Sequence, residues 1–568
     1  MNFRSILFLF ISSLGASFTS AQTELLYLSN QTPTYNQVIS FYQDLDAQHD
    51  EAKLIAYSKS DAGPPIHLFI LDNEKKFDPK DDRATILIMN GIHAGEPCGV
   101  DASMNFAKDL LDKGELPKNT VIAIIPIYNI GGALNRNSAS RTNQEGPLEH
   151  GFRGNAKNLD LNRDFIKNDS KNARAFSQLF SEWNPEIFID THTSNGADYQ
   201  SPFTLIATQK DKLNPLIRDY MYGELNPYLY EKMNAQGVYM IPYMNVFGRS
   251  PDSGISGFID YPRYSTGYAA LFNTMAFTTE AHMLKPFQTR VEATLTFIDL
   301  VVEYTEEHSN TIVQNKHLAD QQIANETTVD LNWELDDSTS HLIEFKGYKA
   351  ETKISEVSGL PRLYYDRSRP FTDSIVYKDT YRPTVTVDKP EFYIIPQAWT
   401  EVIERLQNNN VAMKRFENDT TLMATLYYID EYKTSESVYE GHYLHYQVSI
   451  NEKVDEMIIR AGDYLIPMGQ TSDYYTVSVL DPRGVDSFFA WNFFDPILQQ
   501  KEWFSSYVFE DEASEMLKND PLLREELEKK KTEDEVFRES AFAQLYFIYQ
   551  RSEHYEKEHL RYPVYRIE

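Results

Sequence analysis

The first half of this 568-residue chain predicts an α/β fold, a mixed and largely parallel sheet flanked by helices. The second half predicts a β-rich α+β region with a helical tail. Three observations carry this. Short apolar runs alternate with helical periods up to about residue 308, as a sheet buried on both faces requires. From about residue 311 the composition turns to Thr, Ser, Asp and β-branched residues with few helical periods. The last stretch, about 511–558, is charged and helical in pattern.

Taken in order, RATILIMNGI from Arg83 and NTVIAIIPIYN from Asn119 read as buried strands. Between them, GVDASMNFAKDLL places Val100, Met104, Ala107 and Leu111 on one helical face, which makes a strand–helix–strand crossover unit. A helix over residues 173–183 precedes a third strand, PEIFIDTHT from Pro185, and MAFTTEAH from Met275 is a fourth. Further on, LIEFKGYKAETK and RPTVTVDKP read as strands. PQAWTEVIERLQNNNV follows as a helix, and LMATLYYIDEY, YLHYQVSIN and DYYTVSVLD as strand-like pieces. A chain this long exceeds one ordinary core. The expected division is a leader at 1–21, an α/β domain at 22–310, a β-rich subdomain at 311–390 and a mixed domain at 391–568.

Composition narrows the partners. Apolar residues make up 42% and aromatics 13%, enough to bury large cores. The formal net charge of -30 would repel a phosphate backbone, so nucleic acid is excluded as a partner. The opening MNFRSILFLFISSLGASFTSAQ has one early arginine, a short apolar run and small residues before Gln22. This is the pattern of a secretory signal peptide, and it predicts an exported protein, periplasmic or secreted. No segment reaches the roughly 18–20 apolar residues of a membrane span. The only cysteine is Cys98, so no disulfide framework is expected.

Three motifs could carry chemistry. MNGIHAGEPCG puts His93 and Glu96 directly after an apolar strand, and IFIDTHTSN puts His192 at the end of another. Strand ends are where open α/β sheets build sites. Two histidines and a glutamate form a His₂Glu set that leaves a fourth zinc position open. Either histidine alone reads more simply as a structural one. Glu280, in FTTEAHML, is a candidate base; the plainer reading is a core glutamate partnered by His282. GFRGNAKNLDLNRDF holds Asp160, Asn162 and Arg163, an arrangement that can grip a carboxylate or merely cap a turn.

Together, and in this chain order, these motifs resemble the zinc carboxypeptidase family, the carboxypeptidase A-like metallopeptidases, over about residues 35–308. The chain looks like a bacterial-type secreted member with a long C-terminal extension. The resemblance implies one zinc per catalytic domain, held by His93, Glu96 and His192. It implies Asp160 as the acceptor of a ligand histidine's ring N–H, Asn162 and Arg163 as the substrate-carboxylate clamp, and Glu280 as general base. An arginine in the loop before Asn162 would stabilise the oxyanion; of Arg136, Arg141 and Arg153, Arg141 is favoured and Arg153 comes next. Tyr264 is the choice for a tyrosine closing over substrate, with Tyr268 and Tyr261 as rivals. Residues 245–258 are expected to contribute to the side-chain pocket. Gly95 stands where the family has an arginine before the ligand glutamate. Cys98 is expected to be a small buried residue at a helix start.

The implied function is hydrolysis of C-terminal peptide bonds in peptides or proteins with a free C-terminus. Two alternatives stand beside it. One is a zinc amidase or peptidase acting on cell-wall peptides or N-acyl amino acids. The other is a silent peptide-binding protein on the same fold, which loss of a ligand or of Glu280 would mark.

Overall fold

The structure, a computed structural model, describes residues 25–568. The leader expected at 1–21 lies outside them. Chain order gives strands β1 (Ala52–Lys59), β2 (Pro65–Leu71), β3 (Ala84–Met89), β4 (Thr120–Ile125), β5 (Ile187–Ser194), β6 (Phe203–Ala207) and β7 (Met240–Pro242). Two short strands follow, β8 (Asn245–Val246) and β9 (Ile255–Ser256), and then β10 (Met275–His282).

The main sheet has eight strands in the order β1-β2-β4-β3-β5-β10-β6-β7. Its centre, β4, β3, β5 and β10, is parallel; β1 and β2 run antiparallel to their neighbours, and β6 is antiparallel to β10 but parallel to β7. Every residue of β3, β4 and β5 is buried, which explains their unbroken apolar runs. The helix Cys98–Lys113 carries the chain from β3 to β4 and packs along the helix Phe287–Asn325. Val100, Met104, Ala107 and Leu111 are all buried, as their spacing predicts. The chain moves from β3 to β4 on one side and later enters β5 on the other. The switch point of the sheet therefore lies at the C-terminal end of β3, where crevices open in such folds.

The helix Phe287–Asn325 runs without a break through residue 310, so the boundary expected there falls inside a helix. Its second half buries Ile312, Lys316, Ala319 and Ile323, a helical stripe interrupted by a lysine. Next come β11 (Thr328–Leu335), the hairpin β12 (His341–Ile354) and β13 (Pro361–Lys378), β14 (Tyr381–Asp388), β15 (Phe392–Ile395) and β16 (Lys414–Arg415). β17 (Thr420–Thr434), β18 (His445–Ile459), β19 (Tyr464–Pro467) and β20 (Tyr565–Ile567) complete a six-stranded sheet, β16-β19-β15-β20-β17-β18. The segment DYYTVSVLD, expected as a strand, is the helix Asp473–Leu480. No helix among the described residues is long and apolar enough to cross a membrane.

The two halves share one core. Tyr393, Tyr475 and Trp491 from the second half are buried in the same cluster as the main sheet. Tyr475 stacks on Phe272 at 5.7 Å. The tail helices form a separate small cluster around Phe509, Leu523 and Phe537.

Candidate metal centre and substrate cleft

β3 ends at Met89, and Gly91, at φ +65°, turns the chain so that His93 and Glu96 sit in a tight loop before Cys98–Lys113. Within that loop Glu96 N donates to His93 O at 2.8 Å. His192 lies near the end of β5, the parallel neighbour of β3. Glu280 lies on β10, directly beside His192 in register. Three adjacent strands, β3, β5 and β10, thus bring His93 with Glu96, His192 and Glu280 to one place.

The donor atoms converge. His93 Nδ1 stands 3.2 Å from Glu96 Oε1, and His192 Nδ1 stands 3.2 Å from Glu96 Oε2. One ligand atom from each residue fits within 4.8 Å of the others, with all three residues buried. The far nitrogens are fixed by carboxylates: His93 Nε2 donates to Asp160 Oδ1 at 2.9 Å and His192 Nε2 to Asp190 Oδ2 at 2.7 Å. With its Nε2 proton engaged, each imidazole turns Nδ1 inward, the nitrogen that offers a metal its lone pair once it has released its proton. Among the described residues His93 Nδ1 is buried without a hydrogen-bond partner, which suits a metal ligand. The set fits zinc: two imidazoles and one carboxylate, with carboxylates behind both rings. Asp190 was missed by sequence reasoning, although D-x-H on one strand face is a readable signal.

Electrostatics agree. Burial would raise the Glu96 carboxyl, but the charges of His93 and Arg141 outweigh it and hold the group well below the usual carboxylate range. Asp160 is likewise held low against its burial by His93, Arg153 and Arg163. Glu280 is pushed up to about 7, first by burial, which the nearby His192 charge opposes and Glu96 reinforces. His282 does not partner it. That ring faces Ala197 O at 2.8 Å and accepts from Leu284 N at 3.1 Å.

His93, Glu96, His192 and Glu280 line a cleft of about 560 Å³ that also includes Arg141, Arg153, Asn162, Arg163 and Tyr264. The loop arginines differ in what they hold. Arg141 Nη1 donates to Glu96 Oε1 at 3.0 Å and its Nε to Gln144 Oε1 at 2.7 Å, with the side chain 13% exposed. Gly95 makes room for it, since a Cβ there would lie 2.7 Å from Arg141 Cδ. Arg153 gives Nε and Nη2 to Asp160 Oδ2 at 3.0 and 2.8 Å, leaves Nη1 3.6 Å from Glu96 Oε1, and is 44% exposed. Arg136 is spent on Thr32 O and Pro33 O, outside the cleft.

Tyr264 packs its ring on the Arg163 guanidinium at 4.6 Å. Its rivals are engaged elsewhere: Tyr268 Oη donates to Asn409 and Tyr261 Oη to Trp333 O. Of residues 245–258 only Phe258 lines the cleft, joined by Tyr243, Ile206 and Thr278; β8 and β9 instead pair with each other and with β13. Cys98 is buried at the helix start against Thr193.

Residues 38–245 match the family model for zinc carboxypeptidase. This segment is a zinc carboxypeptidase family domain. The match holds both ligand motifs and the Asp160–Arg163 stretch and ends before Glu280. No curated relative matches the sequence. Among solved structures, the chain is similar to the metallo-carboxypeptidase of Burkholderia cenocepacia, with 15% identity over 48% of this chain and 70% of that one, at a TM-score of 0.35. It is also similar to the Pseudomonas aeruginosa metallo-carboxypeptidase in complex with (2-guanidinoethylmercapto)succinic acid, with 14% identity over 48% and 70% and a TM-score of 0.37. Carboxypeptidase A of Helicoverpa armigera is 12% identical over 51% and 80%, with a TM-score of 0.36. Beyond the zinc carboxypeptidase domain, the described chain continues through a further sheet and the tail helices.

Proposed function

We propose that this chain is a zinc-dependent metallocarboxypeptidase that removes C-terminal residues from exported or extracellular peptides. The observation that carries the reading is the convergence of His93 Nδ1, His192 Nδ1 and Glu96, with Glu280 beside His192 on the next strand.

Zinc held by these three groups would supply Lewis acidity, lowering the pKa of a water toward about 7 and polarising a carbonyl. The chain's own residues do the rest. Glu280, a half-buried carboxylate beside His192, is placed to take a proton from attacking water and return it to the leaving amine. Asp160 and Asp190 keep both ligand rings in the right tautomer. Arg153 is the more exposed of the two and its Nη1 stands 3.6 Å from Glu96 Oε1 without a hydrogen bond, whereas Arg141 Nη1 donates to that oxygen at 3.0 Å. Arg153 therefore suits oxyanion stabilisation, in place of the Arg141 favoured from sequence, and Arg141 serves to hold the ligand glutamate in place. Asn162 and Arg163 line the same cleft and suit a free C-terminal carboxylate, with Tyr264 packed against the arginine. Ile206, Tyr243 and Phe258 offer an apolar wall, which favours an apolar terminal side chain.

The cell-wall amidase and N-acyl amino acid readings share this centre and differ only in substrate. A silent scaffold would lack a ligand or the base, and this chain has both. The test is Glu280→Gln. It is expected to retain one zinc per chain by elemental analysis while turnover falls by about 10²-fold or more. Zinc-loaded Glu280→Gln with wild-type turnover would remove Glu280 from the mechanism.

A further inference from the structure

A turn of the long second half touches two residues of the candidate site from behind. β17 and β18 form a hairpin whose connection narrows at Tyr439 and His442. Tyr439 N donates to His442 O at 2.7 Å, and His442 N returns a bond to Tyr439 O at 3.0 Å. The two residues between them, Glu440 and Gly441, both have positive φ, 49° and 88°, as a type I′ turn requires. Glycine and asparagine are the usual occupants of such positions. A glutamate in the left-handed region persists only where its surroundings demand it.

The surroundings here are the site itself. Glu440 Oε2 accepts from the backbone N–H of Asp160 at 2.7 Å, and Asp160 is the carboxylate that orients His93. Tyr439 Oη accepts from Arg163 Nε at 2.9 Å. One turn thus holds both the support of a candidate metal ligand and the candidate carboxylate clamp. The turn is itself anchored. Tyr439 stacks on Trp491 at 6.1 Å with planes 21° apart, and Trp491 is fully buried. His442 Nε2 donates to Asp169 Oδ2 at 2.7 Å, back on the first half.

We infer that Tyr439 and Glu440 are positioning residues of the active site, and that the second half exists in part to set Arg163 and Asp160. The inference rests on reading Arg163 as the carboxylate clamp and His93 as a zinc ligand. Neither Tyr439 nor Glu440 lines the cleft, so each acts through the residue it holds. Arg163 Nη1 is already given to Asn162 O at 2.7 Å. With Nε fixed by Tyr439 as well, the guanidinium loses the freedom to swing, and its remaining N–H groups meet substrate with less ordering cost.

The test uses full-length, zinc-loaded chain in the slow Glu280→Gln background, with two ligands: an acetylated dipeptide ending in phenylalanine, and its C-terminal amide. Adding Tyr439→Phe removes one oxygen and leaves the stack on Trp491. The preference for free acid over amide is expected to fall about threefold to tenfold, with zinc content unchanged. In parallel, Glu440→Ala is expected to weaken zinc about tenfold in chelator competition, and Glu440→Gln, whose amide oxygen can still accept from Asp160, to restore it. An unchanged acid-to-amide ratio in Tyr439→Phe together with wild-type zinc affinity in Glu440→Ala would overturn the inference. Equal binding of acid and amide before the turn is altered would instead sink the clamp reading, leaving the zinc arm to decide the hold on Asp160. If Glu440→Ala does not fold, Tyr439→Phe alone decides.

Discussion

Asp190→Asn is expected to cost the centre about tenfold in zinc affinity. The carboxylate is fully buried, and its Oδ2 stands 2.7 Å from His192 Nε2, the separation of a charge-assisted hydrogen bond. Among the described residues its Oδ1 has no hydrogen-bond partner, so the bond to the histidine is the side chain's one hydrogen bond there. Asparagine keeps the shape and an acceptor oxygen but removes the charge. A charge-assisted bond is worth about 1.5–3 kcal/mol and a neutral one about 1 kcal/mol. The difference, about 0.5–2 kcal/mol, corresponds to roughly twofold to thirtyfold in a binding constant. Asp190→Ala should cost more, because it leaves the His192 N–H buried and unpaired, a further penalty of about 1–3 kcal/mol. The assay is a chelator competition titration at fixed pH, beside thermal melting of the metal-free chains to separate affinity from folding. Wild-type zinc affinity in Asp190→Asn would refute the reasoning that this carboxylate orients and charges the ligand.

Three further outcomes are expected. Arg163→Ala should raise KM for free-acid peptides about tenfold or more while leaving C-amidated ones little changed; equal loss on both counts against the clamp. Arg153→Ala should lower kcat by about 10²-fold with zinc retained, and Arg141→Ala should weaken zinc binding more than it slows a loaded enzyme; the reverse pattern would return the oxyanion role to Arg141. Asp101 is fully buried, accepts from Thr32 Oγ at 2.6 Å, and is pushed up to about 8 by that burial. The folded state then keeps a proton that the unfolded chain releases near pH 4, so Asp101 costs stability progressively as pH rises from about 4 to 8. The melting temperature of Asp101→Asn relative to wild type should climb across that window and level above it; a difference independent of pH would contradict the assignment.

The centre was legible because its geometry is written locally. Buried parallel strands read as apolar runs, with His93 in the loop just after β3 and His192 near the end of β5. That the two strands are neighbours, and that Glu280 lands beside His192, follows from topology the spacing does not state. The helix Asp473–Leu480 was hidden by burial on all sides: from Tyr475 to Leu480 every residue is buried, so no period of 3.6 survives, and its aromatic and β-branched residues suggest a strand. Lys316 obscured the second half of Phe287–Asn325 in another way. It sits on the buried stripe, its Nζ donating to Phe272 O at 2.6 Å, and breaks an otherwise helical apolar pattern. Arg141 and Arg153 could not be ranked from the loop alone, because the ranking depends on which donors Glu96 and Asp160 occupy. Least legible was the turn at Tyr439 and Glu440, whose bonds to Arg163 and Asp160 span 276 and 280 residues.

The most direct measurement is product analysis by mass spectrometry on a mixed pool of peptides, free and C-amidated, with and without a zinc chelator. The account predicts stepwise loss of C-terminal residues from the free peptides only, abolished by the chelator and restored by zinc. Zinc-loaded protein that leaves every free C-terminus intact, or that trims amidated peptides equally well, would contradict it.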